Sequence, residues 1–293
     1  MDTRTQIEKH LLVSPSSGDT LVISDDGEWL QTEDGREVYP FLNGNVPVLL
    51  KDQEWAKQYV RDATQMLAEY ESEKPSAAVA SPPAGNGKAS LEMPASREAL
   101  ARVLSELRED MLCLSVGGGP SRIHPMVRNV NIGAFPNVEL VADAHVLPYK
   151  DNCVDFIYCA SVLEHLYSPE AAVSEMFRVL RPGGKAYLNT PFTFVYHGYP
   201  HHYQNLTLTG HRALFERAGF RVLDSGVSFG PAYALTQMIN QFIRHYTRGI
   251  SKWVLHRVWR LWVPLIRRID RRVEQQENAH LLAAMTYLVV EKP

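Results

Sequence analysis

The residues able to do chemistry in this 293-residue chain gather between Met111 and Thr207. MLCLSVGGGPS, Met111 to Ser121, sets an apolar run ending at Val116 against three consecutive glycines, Gly117, Gly118 and Gly119. A strand that runs straight into glycines makes a tight turn, because the missing Cβ admits positive φ and lets a ligand lie against bare backbone. At the carboxyl end of a strand in an open α/β sheet, such a turn is a cofactor site. Ser161, Glu164 and His165 come just after a later strand, at the same edge. Then FTFVYHGYPHHYQNLT, Phe192 to Thr207, brings His197, His201 and His202, whose imidazoles can take a proton near neutral pH. These three histidines have neither helical register nor a nearby cysteine, so no metal is expected on them. His165 is open to a second reading, as a satisfied structural histidine.

The elements that must hold these groups alternate between strand and helix. One helix is expected from Ser96, as N-cap, to about Leu107. Strands follow, ending at Val116, then over Val127 to Ile132, Val138 to Val141 and Asn152 to Tyr158. Ser168, Pro169 and Glu170 start a helix that runs to about Leu180. Gly183 and Gly184 end it and release a strand over Lys185 to Asn189. A helix from Thr209 to Ala218, capped by Gly219, leads to a strand over Phe220 to Ser228, and Met285 to Val290 closes the set. This order predicts an α/β, doubly wound, mainly parallel sheet covered on both faces.

Ahead of it, residues 1–52 hold the short alternating runs LLV, TLVIS, EWLQT and VPVLL between SPSSGD, DDGE and DGRE, a small antiparallel β unit. Apolar residues from Trp55 to Tyr70 recur at helical spacing. Pro75 to Pro94 is rich in Ala, Ser, Pro and Gly and reads as a linker. The domains expected are therefore 1–52, a helix and linker over 53–95, and 96–293 with a helical insertion over 236–279.

With 45% hydrophobic and 22% charged residues the chain has an ordinary globular composition, and a net charge of -3 gives no nucleic-acid signal. Cys113, Cys153 and Cys159 fall in or beside strands of one domain, which suits free thiols in a reducing, cytoplasmic setting. The opening MDTRTQIEKHLLVS lacks the apolar core of a secretory leader, and no apolar run reaches the roughly 18 residues of a membrane span. Lys252, Arg257, Arg260, Arg267, Arg268, Arg271 and Arg272 accompany a helical apolar repeat, Leu255, Val258, Trp262, Leu265, Ile269 and Val273. Packing on its own domain explains the repeat. Peripheral contact with an anionic membrane through 252–273 explains both the repeat and the one-sided charge.

VELVADAHVLPY (Val138 to Tyr149), DNCVDFIYCASVLEHL (Asp151 to Leu166) and EMFRVLRPGGKAYLNTPF (Glu175 to Phe192) follow the glycine turn. In order and spacing the set resembles the class I S-adenosylmethionine-dependent methyltransferases, in the group with the ubiquinone and menaquinone biosynthesis enzymes. The resemblance covers about Leu112 to Val227 and implies a Rossmann-like, seven-stranded sheet with S-adenosylmethionine as cofactor. It implies cofactor binding by Ser115, Gly117, Gly118, Gly119, Asp143, Ala144, His145 and Ser161. His165, His197 and His202 are the catalytic candidates. Asp143 has a second reading, as a loop acid capping its own turn. Two acids usual in the family are replaced, one by Ser115 and the ribose-binding one by the segment Asn131, Ile132, Gly133. His202 and Asn205 stand where a charged pair is usual. A hydrogen bond to a charged group is worth about 1.5 to 3 kcal/mol, so the ribose replacement costs roughly ten- to a hundredfold in affinity.

LLVSPSSGDTL and VYPFLNGNVPVLL resemble the zinc-ribbon-like activator domain of some methyltransferases. Ser14 and Ser17 stand where its metal-binding cysteines would be, and hydroxyls do not replace thiolates, so this unit is expected to be metal-free. Methyl transfer to a small-molecule, glycan or lipid-linked acceptor is the function implied. A catalytically degenerate binding or scaffold protein and a nicotinamide-dependent oxidoreductase are the alternatives.

Overall fold

The computed structural model describes residues 1–59, 91–198, 201–273 and 276–293. Most of the expected connecting helix and all of the linker up to residue 90 lie outside the described residues. A helix does begin at residue 53, where Asp52 accepts from the amides of Glu54 and Trp55.

Eleven strands form one sheet in the order β1-β2-β3-β4-β7-β6-β5-β8-β9-β11-β10. The seven at one end are β5 (Cys113–Val116), β6 (Val127–Asn131), β7 (Val138–Ala142), β8 (Val154–Ala160), β9 (Leu180–Pro191), β10 (Arg221–Phe229) and β11 (Met285–Glu291). Neighbours pair in parallel from β7 through β9, and β11 runs antiparallel between β9 and β10. This is the Rossmann-like α/β sheet that the alternation of elements predicts. It is not a separate body from the N-terminal unit. β1 (Leu21–Ile23), β2 (Trp29–Thr32), β3 (Val38–Leu42) and β4 (Val46–Leu49) form an antiparallel meander. β4 then adds in parallel to β7, with Val48 opposite Val141 and Leu49 opposite Ala142.

The links from β5 to β6, β6 to β7 and β7 to β8 contain no helix. The N-terminal segment covers the surface such helices would have covered. Ile7, Leu12, Leu21, Leu30 and Tyr39 share a buried core with Leu114, Val130 and Leu140, and Leu12 bridges Tyr149. A helix over Thr3–Glu8, which the sequence reading missed, is capped by Asp2 accepting from the Thr5 amide at 2.8 Å. The Ser14 hydroxyl donates to Glu37 and lies 3.0 Å from the Tyr39 hydroxyl, and Ser17 donates to the same carboxylate at 3.0 Å. Hydroxyls and an acid thus knot this turn.

Several expected boundaries shift. Ser96 is not an N-cap; the helix is Pro94–Ser105 with Met93 at its cap, and Ser96 lies buried in the first turn, donating to Glu92 and beside the Tyr187 hydroxyl. Thr207, not Thr209, caps the Leu208–Arg217 helix, accepting from the Gly210 amide at 3.0 Å. The Pro169–Val179 helix passes directly into β9 at Leu180, so Gly183 and Gly184 lie within the strand instead of ending the helix.

The expected insertion is two helices, Pro231–Tyr246 and Gly249–Val273. Asp270 of the second reaches the start of the first, accepting from the amides of Ala232 at 2.7 Å and Tyr233 at 2.9 Å. The apolar repeat Leu255, Val258, Trp262, Leu265 and Ile269 is not buried: each is 43 to 54% exposed. Asp270, on a different face of the same helix, is buried. Arg257 lies over the Trp253 ring, 5.1 Å from its centroid. Among the described residues no helix is long and apolar enough to cross a membrane.

Candidate functional site

β5 delivers the glycine turn at its carboxyl end, and each glycine answers a different demand. Gly117 has φ +74°, and a Cβ there would lie 2.4 Å from a methyl of Val162. At Gly118 a Cβ would meet the Ser115 Oγ at 2.2 Å and the Asn129 Oδ1 at 3.0 Å. Gly119, at φ +58°, has nothing within 4 Å of its would-be Cβ. Two glycines are therefore required by packing beneath the turn, and the third looks into open space. Ser115 is buried on the inner side of that turn. Asn129, which the sequence reading missed, pins the turn by donating to the carbonyls of Gly119 at 3.3 Å and Ser121 at 3.0 Å. Its Oδ1 is buried with no hydrogen-bond partner among the described residues.

β6 ends at Asn131, whose side-chain amide donates to the Gly133 carbonyl at 3.2 Å. β7 is followed by Asp143, whose Oδ1 accepts from the His145 amide at 2.9 Å and lies 2.6 Å from His145 Nδ1. The acid does cap its own turn. His145 in turn stacks on Tyr167 with ring centroids 4.1 Å apart, and Ala144 packs on the core. The loop after Asp143 is clamped from the Pro169–Val179 helix. Glu175 accepts from the Leu147 amide at 2.8 Å, and Arg178 donates to the carbonyls of Leu147 and Tyr149, both at 2.7 Å. The first arginine of the FRVLRPGG stretch thus positions the Asp143 loop, which gives that stretch a physical role.

At the end of β8 Ser161 takes φ +56°, an uncommon conformation for a non-glycine residue, with its amide bonded to the Asn189 carbonyl. A short 3₁₀ turn, Leu163–His165, then turns the Glu164 carboxylate inward. Glu164 is 1% exposed, and neither of its oxygens accepts a hydrogen bond from the described residues. His165 and His197 approach it, their Nε2 atoms 3.8 and 3.6 Å from Oε1. Burial lowers the His197 pKa, but the Glu164 carboxylate and the Val195 carbonyl outweigh it and hold the imidazole above its ordinary value.

The histidine loop is well tied. The His202 Nδ1 accepts from the His197 amide at 3.2 Å, which leaves its Nε2 to donate to Asn205 Oδ1 at 2.7 Å. Its ring lies 4.5 Å from that of His197 and 5.9 Å from that of His165. His201 enters through its backbone carbonyl, 2.6 Å from His165 Nδ1. The structure thus brings His165, His197 and His202 together with Glu164 at the carboxyl edge of β8 and β9. Gly117 to Gly119, Asp143 and Ser161 lie at the same edge, on the ends of β5, β7 and β8.

Residues 122–188 match the methyltransferase domain family, Methyltransf_11. The chain is 38% identical over 95 residues to a Mycolicibacterium smegmatis protein described as a probable S-adenosylmethionine-dependent methyltransferase, covering 30% of this chain and 37% of that protein. It is 46% identical over 56 residues to the ubiquinone/menaquinone biosynthesis C-methyltransferase UbiE of Salmonella arizonae, covering 19% of this chain and 22% of that enzyme. The matched stretches thus span well under half of either relative's length. Among solved structures the cyclase SpnF aligns at a TM-score of 0.44 with 20% identity, over 85% of this chain and 99% of that one. Over residues 122–188, which run through β6, β7 and β8 and into β9, the chain thus matches a methyltransferase domain family, on a sheet of the Rossmann-like α/β class.

Proposed function

We propose that the protein transfers the methyl group of S-adenosylmethionine to an oxygen, nitrogen or carbon of a small-molecule, glycan or lipid-linked acceptor. The observation that carries this reading is the open space before Gly119, at the carboxyl edge of the central strand and on the same edge as the buried Glu164 and histidine cluster. The residues present suit the cofactor in two respects: the turn leaves a cradle that a side chain would fill, and the orphaned Asn129 Oδ1 lies beneath it. Gly117, Gly118 and Gly119 would hold it with Asp143, Ala144, His145 and Ser161, while Ser115 supports the turn from inside. Asn131 stands at the ribose position and offers a neutral amide where a carboxylate is usual, so affinity in the micromolar range is expected.

When bound, the cofactor supplies a sulfonium methyl open to in-line attack. The chain's own contribution is to align the acceptor and receive its proton. Alignment alone reaches an effective molarity of about 10⁵ to 10⁸ M, so a good nucleophile needs little more. A hydroxyl needs a base, and Glu164, His165 and His197 form the charged cluster suited to it. His202 has both ring nitrogens engaged, which supports a positioning role for it.

The exposed apolar stripe of the Gly249–Val273 helix supports a second feature of the same reading, contact with anionic lipid. Lys252, Trp253, Arg257 and Arg260 line a hollow of about 440 Å³ on this helix. Each Lys or Arg near an anionic surface contributes about 1 kcal/mol. A lipid-linked acceptor would then be met at the membrane surface.

Calorimetry with S-adenosylhomocysteine tests the transferase reading. Heat of binding is expected for the wild type and absent in Gly119→Arg, where the side chain fills the cradle. A folded wild type that gives no heat overturns it.

A further inference from the structure

We propose that Glu164, His165 and His197 bind one divalent transition-metal ion. Their three ligand atoms lie within 4.8 Å of one another, with Glu164 Oε1 3.8 Å from His165 Nε2 and 3.6 Å from His197 Nε2. Ligands held about 2.0 to 2.1 Å from a tetrahedral ion stand about 3.4 Å apart, so the two measured edges need to close by only a few tenths of an ångström. The same edges are too long for hydrogen bonds.

The carboxylate itself asks for a cation. It is buried, and neither oxygen accepts a hydrogen bond from the described residues. A buried anion is retained when it is paired or coordinates a metal. The histidines are set for the second outcome. His165 Nδ1 lies 2.6 Å from the His201 carbonyl and His197 Nδ1 lies 3.0 Å from the Val195 carbonyl. A carbonyl only accepts, so each Nδ1 carries a hydrogen, and each Nε2, directed at Glu164, is the nitrogen free to ligate an ion once its ring is neutral. Metal-binding histidines are fixed in this way, by an outer hydrogen bond that sets tautomer and ring direction. His202, with both nitrogens engaged, forms a wall and is not a ligand.

Two imidazoles and one carboxylate suit a first-row transition ion better than magnesium or calcium, and three protein ligands leave positions open. The open positions fit an oxygen donor of the acceptor, such as a hydroxyl, whose acidity the ion raises so that its proton leaves to solvent water; with the ion bound, Glu164, His165 and His197 serve as ligands and not as the base. The site therefore does not need the three-histidine set His197, His201 and His202 considered from sequence alone, since His201 contributes only a carbonyl. The acceptor class rests on the transferase reading, whereas the ion rests on these three side chains alone.

Tag-free, chelator-treated protein titrated with Co²⁺ and followed by its visible absorption, and with Zn²⁺ by calorimetry, tests the site. One equivalent is expected, with the absorption bands of Co²⁺ in a protein site. Glu164→Gln and His197→Gln, each checked for folding by circular dichroism, should weaken binding by more than the roughly hundredfold that loss of an outer hydrogen bond costs. No saturable binding by the wild type, or wild-type affinity in either folded variant, overturns the site. Cobalt binding without S-adenosylhomocysteine binding supports the metal and overturns the transferase reading; the reverse overturns the metal and leaves the transferase reading standing.

Discussion

Replacing single glycines of the β5 turn by alanine separates what the turn does for the fold from what it does for a ligand. In Gly117→Ala the new Cβ must adopt φ +74°, in the left-handed region, and sit 2.4 Å from a Val162 methyl. The conformation costs an L-residue about 1 to 2 kcal/mol, and forcing a methyl into a packed site adds about 1 to 3 kcal/mol. Val162 is buried and branched, so it has little room to give. The expected loss of stability is therefore about 2 to 5 kcal/mol. Gly119→Ala incurs only the first cost, since nothing lies within 4 Å. With an m-value of about 2 to 3 kcal/mol/M, urea midpoints should fall by roughly 1 to 2 M for Gly117→Ala and by about 0.5 M for Gly119→Ala. Affinity for S-adenosylhomocysteine should drop in Gly119→Ala despite its near-normal stability. Equal midpoints for the two variants would show that Val162 does not close over the turn and would refute the packing argument.

Two further outcomes follow from other parts of the molecule. Burial lowers the His211 pKa to about 3, so between about pH 3 and the ordinary value near 6.5 the unfolded chain binds the extra proton; stability should fall by about 1.4 kcal/mol per pH unit below 6.5, and urea unfolding of His211→Phe should lack that slope, an unchanged slope refuting it. Flotation with anionic vesicles should recover the wild type in a salt-sensitive manner and lose it when Arg257, Arg260, Arg268 and Arg272 become Glu, whereas a wild type that stays unbound makes the exposed stripe a protein contact.

The glycine turn, the order of strands and the Asp143 loop were legible because each is written locally: apolar runs end in glycines, and caps precede periodic stretches. Pairing partners are not local. Nothing in VPVLL shows that β4 will lie beside β7, since the same run would serve equally well at a free edge. Glu164 was legible as an acid at the ligand-facing edge, but no role could be given to it, for a similar reason. VLEHL shows an acid after a strand, but not that His197, which follows β9 in the chain, will approach its carboxylate. The one readable sign was that acid itself, placed beside a histidine at a ligand-facing edge. On the Gly249–Val273 helix the periodicity was legible and the side it faces stayed open between packing and an exposed surface, because helical spacing defines a stripe without saying what covers it.

Splicing β4 onto β7 also has a thermodynamic consequence. Leu21 and Leu30 of the meander are buried in the same core as Leu114 and Val130, which flank the glycine turn from β5 and β6. Heat cannot melt the first fifty residues and leave the cofactor edge intact, because doing so would strip β7 of a neighbour and uncover the core beneath β5 and β6. The two halves are therefore expected to unfold as one cooperative unit, and a Leu30→Ala cavity should lower a single transition midpoint shared by probes placed in both halves.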